Sequence, residues 1–226
     1  KPSLTGEGDD SFGSADDEDG VVFKSGLVAG ENAEVEVTVS ETGRLSAWID
    51  FNGDGDWTDL GEQIFTDLIV ESGVNLLTFP VSFTPIDVTY ARFRISSLGG
   101  LSYNGLAPDG EVEDYALGAV SGTKWHDSDE DGQWDEDEHG VAGWTIFADL
   151  DEDGVRDDAE PFGITDEAGL YTIAGLGTGT YVLAEVVQTG WIQTDAPAVV
   201  TIAAGEHVTG ANFGNYALPN TIAGQE

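Results

Sequence analysis

The chain has 226 residues and carries 44 acidic against seven basic side chains, a formal net charge of −37. Phosphate-rich partners need a positive surface, so this balance excludes nucleic acid. The absence of cysteine excludes disulfides and thiolate metal sites. Hydrophobic residues make up 40%, enough for packed cores and too much for a disordered acidic tail, and no apolar run is long enough to insert into a membrane.

Residues 1–20 are polar and acidic, a tail by composition unless their carboxylates fold back as ligands. Short strand patterns follow. Val21 and Phe23 alternate, as do Val35, Val37 and Val39 with Glu34, Glu36 and Thr38. Leu45, Ala47, Ile49 and Phe51 line one strand face, with Arg44, Ser46 and Trp48 opposite. Leu77, Phe79, Val81 and Phe83 line another, in which Pro80 predicts an edge or a bulge. Ala91, Phe93 and Ile95 face away from Tyr90, Arg92 and Arg94, and a last strand runs from Val112 to about Ala119. No helical period of any length interrupts them. The pattern predicts a β-sandwich of seven or eight strands.

Within this half, DFNGDGDWTDLGE at 50–62 places Asp50, Asn52 and Asp54 at positions 1, 3 and 5 of a calcium-loop spacing, with Gly55 at 6 and Asp56 at 7. Glu62 arrives at position 13, one late for the template, which leaves the closing ligand open. A second cluster, Asp109 to Asp114, has two readings: ion pairing with Arg92 and Arg94, or a cation site shared with Asp16, Asp17 and Asp19. The runs AWIDFNGDGDWTDLGEQIF, YARFRISS and GLAPDGEVEDYAL resemble the GEVED domain of secreted bacterial proteins over residues 15–118. The resemblance implies an extracellular, non-catalytic β module.

Residues 119–122 join the halves without a proline- or serine-rich spacer, which predicts stiff docking. Two full matches to D-x-D-x-D-G-x5-E follow, at 127–138 and 149–160. Calcium takes about six to eight oxygens, and a glycine at position 6 allows the sharp turn that makes residues 1, 3 and 5 converge. The first loop offers Asp127, Asp129, Asp131, Asp135 and Glu138, the second Asp149, Asp151, Asp153, Asp157 and Glu160. Gln133 and Val155, at position 7, would each add a backbone carbonyl. A strand at 141–148 lies between them, so these loops join strands rather than the helices of an EF-hand. Strands at 170–173, 181–187, 198–202 and 207–213 complete a second, smaller sandwich. SGTKWHD, GWTIFADLDEDGVRD, TDEAGLYTIAGLGTGTYVLAEVVQTGWIQT and ANFGN resemble the B-type repeat of serine–aspartate-repeat adhesins over 120–215. That resemblance implies a calcium-binding, prealbumin-like sandwich stacked in stalks.

Thirty of the 44 acids fall in five clusters, at 9–19, 50–62, 109–114, 127–138 and 149–160. Clustering favours discrete cation sites over a uniformly acidic halophile surface, and bound cations would relieve the self-repulsion of so large a charge. His126, His139 and His207 sit in no catalytic motif, and the carboxylates keep ligand spacing rather than standing singly among apolar residues; an enzyme is not expected. Six tryptophans raise an alternative, a calcium-dependent carbohydrate-binding accessory module, with Trp48 and Trp191 as stacking candidates. Sandwiches like the second half can also carry a Lys–Asn isopeptide bond. Lys124 and Asn212, with Glu185 as the assisting acid, are the candidates, against the plainer reading of an exposed lysine and a turn asparagine.

The expectation is therefore an all-β chain of two tandem β-sandwich domains with calcium loops between strands. Residues 1–118 form a GEVED-like module, 119–218 a B-type module, and 219–226 the start of a following repeat, because YALPNTIAGQE echoes YALGAVSGTK. It would be a structural segment of a large secreted or cell-surface bacterial protein. Its partners would be neighbouring modules of the same chain and a surface glycan or protein ligand.

Overall fold

A computed structural model describes residues 20–83, 88–158, 160–197 and 199–219. The acidic segment before Gly20 and the repeat expected at 219–226, but for Pro219, lie outside the described residues. Fifteen strands and no helix are present among the described residues. β1 (Val21–Phe23), β2 (Asn32–Val39) and β5 (Gly73–Pro80) form a three-stranded sheet in the order β1-β2-β5. β3 (Gly43–Ile49), β4 (Gln63–Val70) and β6 (Thr89–Ser96) belong to an eight-stranded sheet that continues through β7 (Glu111–His126). Val35, Val37, Leu45, Ala47, Ile49, Phe79, Ala91 and Phe93 pack between the two sheets as one core. Pro80 ends β5, an edge strand, as its missing amide requires. Phe83, expected on the inner face of that strand, is 57% exposed.

The outer face of β3 and β6 is buried as well, against the simple alternation. Arg92 and Arg94 cause this. Arg94 donates to the carbonyls of Ser102, Asn104 and Gly105, and Arg92 to that of Tyr103. The 97–110 loop is thereby stapled over the sheet, and Trp48 is buried beneath it, edge-on to Tyr103.

β7 is the spine of the molecule. Glu111 to Leu117 pair with β6; Gly118 to Thr123 then pair with β10 (Leu170–Leu176). Further along, β7 runs parallel to β14 (His207–Val208) and β15 (Phe213–Ala217), and β12 (Trp191–Asp195) flanks β15. A four-stranded sheet in the order β13-β11-β8-β9 faces this part. Its members are β8 (Thr145–Asp149), β9 (Phe162–Ile164), β11 (Gly179–Glu185) and β13 (Val200–Ile202). Val120, Ile146, Ala148, Ile173, Leu183, Ile202 and Phe213 form a second core between them. The strand expected to end near Ala119 thus runs on to His126, because nothing between Ala119 and Gly122 turns the chain.

Contacts flank the spine on both sides of the crossover. Leu27 is buried against Gly175, Gly26 abuts Pro161, and the Gly205 amide donates to the Ala116 carbonyl at 3.1 Å. Gly122 packs so tightly that a Cβ there would strike the carbonyl of Ala211, which is backbone and cannot swing away. Gly122→Ala is expected to cost about 3 kcal/mol by overpacking. A fall in the calorimetric melting temperature of the second core, with the first core unchanged, checks this.

Candidate metal centres

The three acidic loops follow β3, β7 and β8, and they share one backbone design. The first aspartate of each, Asp50, Asp127 and Asp149, is buried. One oxygen of each accepts the amide of the position-6 glycine, from Gly55, Gly132 and Gly154, all at 2.9 Å. Those glycines have φ of 88°, 73° and 75°, a region that only glycine enters cheaply. Position 4 is left-handed too, at Gly53, Glu130 and Glu152, with φ of 70°, 66° and 61°. Each of the two glutamates bears strain of about 1–2 kcal/mol to keep that shape.

The closing glutamates turn back alike through Oε2. Oε2 of Glu62, Glu138 and Glu160 accepts the amide of the residue three earlier, from Asp59, Asp135 and Asp157 at 3.2, 3.1 and 3.0 Å. Oε1 of Glu138 and Glu160 accepts the amides of Ser128 and Leu150 at 2.7 and 2.6 Å. The late glutamate of the first loop is thereby explained. Its extra residue lies between Gly55 and Asp59, and the D-x-x-E ending is intact. Asp59 is the residue the sequence reading missed; counting back from Glu62, rather than forward from Asp50, finds it.

Carboxylate oxygens converge within 4.8 Å of one another in three triplets: Asp54, Asp56 and Asp59; Asp127, Asp129 and Asp131; Asp149, Asp151 and Glu160. Each triplet could hold a metal ion. Asp50, Glu62, Asp135, Glu138, Asp153 and Asp157 lie outside these triplets. Asn52 instead donates to Asp54 and Asp59 at 3.2 and 2.7 Å. Position 7 has its amide turned into the loop. Gln133 and Val155 donate to Asp131 Oδ1 and Asp153 Oδ1, both at 2.7 Å, and Asp56 to Asp54 Oδ1 at 3.1 Å.

The electrostatics suit a cation. Burial pushes the Glu62 carboxyl up to about 7, helped by the charges of Asp50, Asp59 and Asp54. Glu62 is 1% exposed, and its Oε1 is buried with no hydrogen-bond partner. A buried oxygen left bare costs free energy that a bound cation would return. Asp50 is likewise raised, chiefly by burial. Burial and the charges of Asp131, Asp129, Glu138 and Asp137 raise Asp135. Asp127 is the reverse: burial pushes it up, but the donors around it, with the Gly132 amide in hydrogen-bond contact, hold it below the usual range.

Of the two readings of the 109–114 cluster, ion pairing holds for Asp114. It receives both Nε and Nη2 of Arg92, the first at 2.6 Å. Arg94 takes carbonyls rather than acids. Asp109 accepts from the amide and hydroxyl of Ser97 at 2.9 and 2.6 Å. Asp16, Asp17 and Asp19 lie outside the described residues.

A different chemistry lies in the second core. Lys124 and Asn215 are 0% exposed, and Glu185 is 6% exposed. Lys124 Nζ donates to Asn215 Oδ1 and stands 3.3 Å from Glu185 Oε2, while Asn215 Nδ2 donates to Glu185 Oε1 at 2.6 Å. Trp144 covers the ammonium, 4.5 Å from ring centre to Nζ. Burial lowers the lysine to about 8 and raises the glutamate. The candidate pairing with Asn212 is corrected: Asn212 Oδ1 accepts the Thr123 amide at 2.9 Å. Lys124 is not exposed, because it shares the inward parity of Val120 and Gly122. Trp125 points outward and stacks on Trp134.

The tryptophans form no coplanar exposed platform. Trp48, Trp57, Trp125 and Trp144 are buried, and Trp191 meets Trp144 and His126 edge-on. Trp134 alone of the six is more than a third exposed, at 46%. No helix among the described residues is long and apolar enough to cross a membrane.

No curated protein matches the chain. Among solved structures it is similar to GBS52, the minor pilin of Streptococcus agalactiae, at 20% identity and a TM-score of 0.36, over 84% of this chain and 89% of that one. The pilus 2b backbone protein of group B streptococcus is 13% identical, with a TM-score of 0.33, over 88% and 98%. A variant of the major pilin subunit of Bacillus cereus is 11% identical, with a TM-score of 0.33, over 86% and 69%. Residues 44–118, which include the first acidic loop, Arg92 and Asp114, match the GEVED domain family.

Proposed function

We propose that the chain is a calcium-stabilised structural segment of a large bacterial secreted or surface protein, without catalytic activity of its own. Residues 1–118 form a GEVED-like module, residues 119–218 a B-type module like those of serine–aspartate-repeat adhesins, and residues 219–226 lead into a further unit. One calcium ion sits in each of the three acidic loops. Its neighbours along the chain are its partners, and it spaces or presents a distal adhesive or catalytic domain.

The observation that carries this is the threefold repetition of one loop geometry, strained at Glu130 and Glu152, in two different cores, around converging carboxylates. Solvated acidic turns have no reason to hold position 4 left-handed or to bury the first aspartate. The continuous β7 supports the mechanical part, since a strand shared by both cores resists bending where a flexible linker would not. The buried lysine, asparagine and glutamate add a covalent element. Nζ of Lys124, as the free amine, attacks Cγ of Asn215; Glu185 in its acid form polarises the carboxamide, gives its proton to the departing nitrogen and takes back the proton shed by Nζ, so that it ends as it began. An amide forms and ammonia leaves.

Titration calorimetry tests the calcium assignment. Three ions are expected, with dissociation constants of about 10⁻⁴–10⁻³ M, the range of extracellular modules. Glu62→Gln, Glu138→Gln and Glu160→Gln should each remove one. Absence of calcium binding by the intact chain would refute the assignment.

A further inference from the structure

We propose that Arg92 and Asp114 are positioning residues for the cation of the 50–62 loop. This rests on the calcium reading of that loop and extends it to residues that touch no ion. Trp57 stands at position 8, between the acids that precede it and Asp59. Its side chain is 6% exposed, and the Arg92 guanidinium lies over the ring at 4.6 Å. Arg92 is held flat by the two-pronged pair with Asp114, which is 2% exposed. The Tyr103 ring also lies against Trp57, tilted, with centres 6.0 Å apart, and the Tyr103 carbonyl accepts from Arg92 at 2.8 Å.

The loop is therefore pinned at two places. At its start, Asp50 is tied to β6: its amide donates to the Tyr90 carbonyl at 2.9 Å, and its carbonyl accepts from the Thr89 hydroxyl. At its middle, Trp57 is clamped by Arg92. Between these pins hang Asp54 and Asp56; just beyond them come Asp59 and the bare buried oxygen of Glu62. If Arg92 loses its carboxylate partner, the guanidinium keeps only its bond to the Tyr103 carbonyl and can turn about it. Trp57 then loses its cover, and the spacing of Asp56 and Asp59 is no longer fixed. An aspartate at the end of the GEVED run, on the next strand over, thus sets the geometry of a site it does not enter. Groups that orient ligands in this way govern affinity without coordinating.

The test uses the full chain carrying Glu138→Gln and Glu160→Gln, so that only the 50–62 loop is read. Calcium is titrated by calorimetry, and terbium by luminescence excited through tryptophan, with Trp57→Phe marking the share that Trp57 sensitises. Asp114→Asn and Arg92→Lys are each expected to weaken binding about 10-fold or more. Lysine keeps the charge but not the planar fork. Both should also shift the midpoint of the calcium-induced change in Trp57 emission, well below the melting temperature. A merely structural role would lower the melting temperature without moving that midpoint. Unchanged affinity and emission midpoint in both variants overturn the proposal while leaving the loop a calcium site. Failure of Glu62→Gln to abolish the remaining ion overturns the calcium assignment itself, and the proposal with it.

Discussion

Chelating calcium is expected to lower the melting temperature of the second core by roughly 20 °C or more. An ion held at a hundredfold excess over its dissociation constant contributes about 2.7 kcal/mol, and two loops lie in this core. In a domain of this size each kcal/mol moves the midpoint by about 4–8 °C. The first core, with one loop, should fall by roughly half as much. Scanning calorimetry with calcium, with chelator, and with chelator plus sodium chloride decides the matter. Equal rescue by sodium chloride would mean general screening of a −37 chain rather than ions in specific loops. The ion-free first core should also answer to pH. Its Glu62 carboxyl is raised from 4.5 to about 7. A carboxyl raised on folding favours the protonated state, so stability present at low pH is lost as pH rises through about 7. Bound calcium should abolish that loss, because the cation neutralises the carboxylate the fold cannot otherwise accommodate.

What was legible in the sequence was local. The alternation of Val35, Val37 and Val39 survives as β2, and the loop spacing survives because ligand geometry is set within a dozen residues. β4 went unread because its period is broken. Asp67 is left-handed at φ 49°, the register slips between Leu45 and Ala47, and Ile69 ends up exposed. β12 and β15 were likewise displaced or missed, since Trp191 to Asp195 carries no clean alternation and is only partly buried. Gly118 and Gly122 look like breaks and are instead close approaches, where the backbones of Glu206 and Ala211 replace a side chain. Continuity of β7 is a tertiary fact: β6 and β10 each pair one end, and no single segment encodes that. That Asn215 rather than Asn212 meets Lys124 is of the same kind. It turns on the parallel register that sets Phe213 opposite Lys124, and so carries Asn215 inward alongside Phe213.

That register carries the other large effect. The intact chain is expected to weigh less than its sequence by the mass of one ammonia. Lys124→Met, Glu185→Gln and Asn215→Ala should each restore the full mass, and Asn212→Ala should not. Burial sets the energetics of the pair. A charged lysine beside a charged glutamate in a dry core bears a desolvation cost that their attraction repays poorly. Moving the proton from nitrogen to carboxylate removes both charges and yields the nucleophile and the acid together. The burial that lowers Lys124 to about 8 and raises Glu185 works toward that neutral pair, against the mutual attraction of the two charges. Closing residues 91 positions apart also removes chain entropy from the unfolded state, about 4–5 kcal/mol on the loop-closure account. The unlinked variants should melt roughly 20 °C lower, and Glu185→Gln is the informative one, since it keeps the shape and deletes the acid. A wild-type chain of full mass would leave Lys124 as a buried ion pair and remove the covalent element. The calcium loops would then carry the stiffness alone.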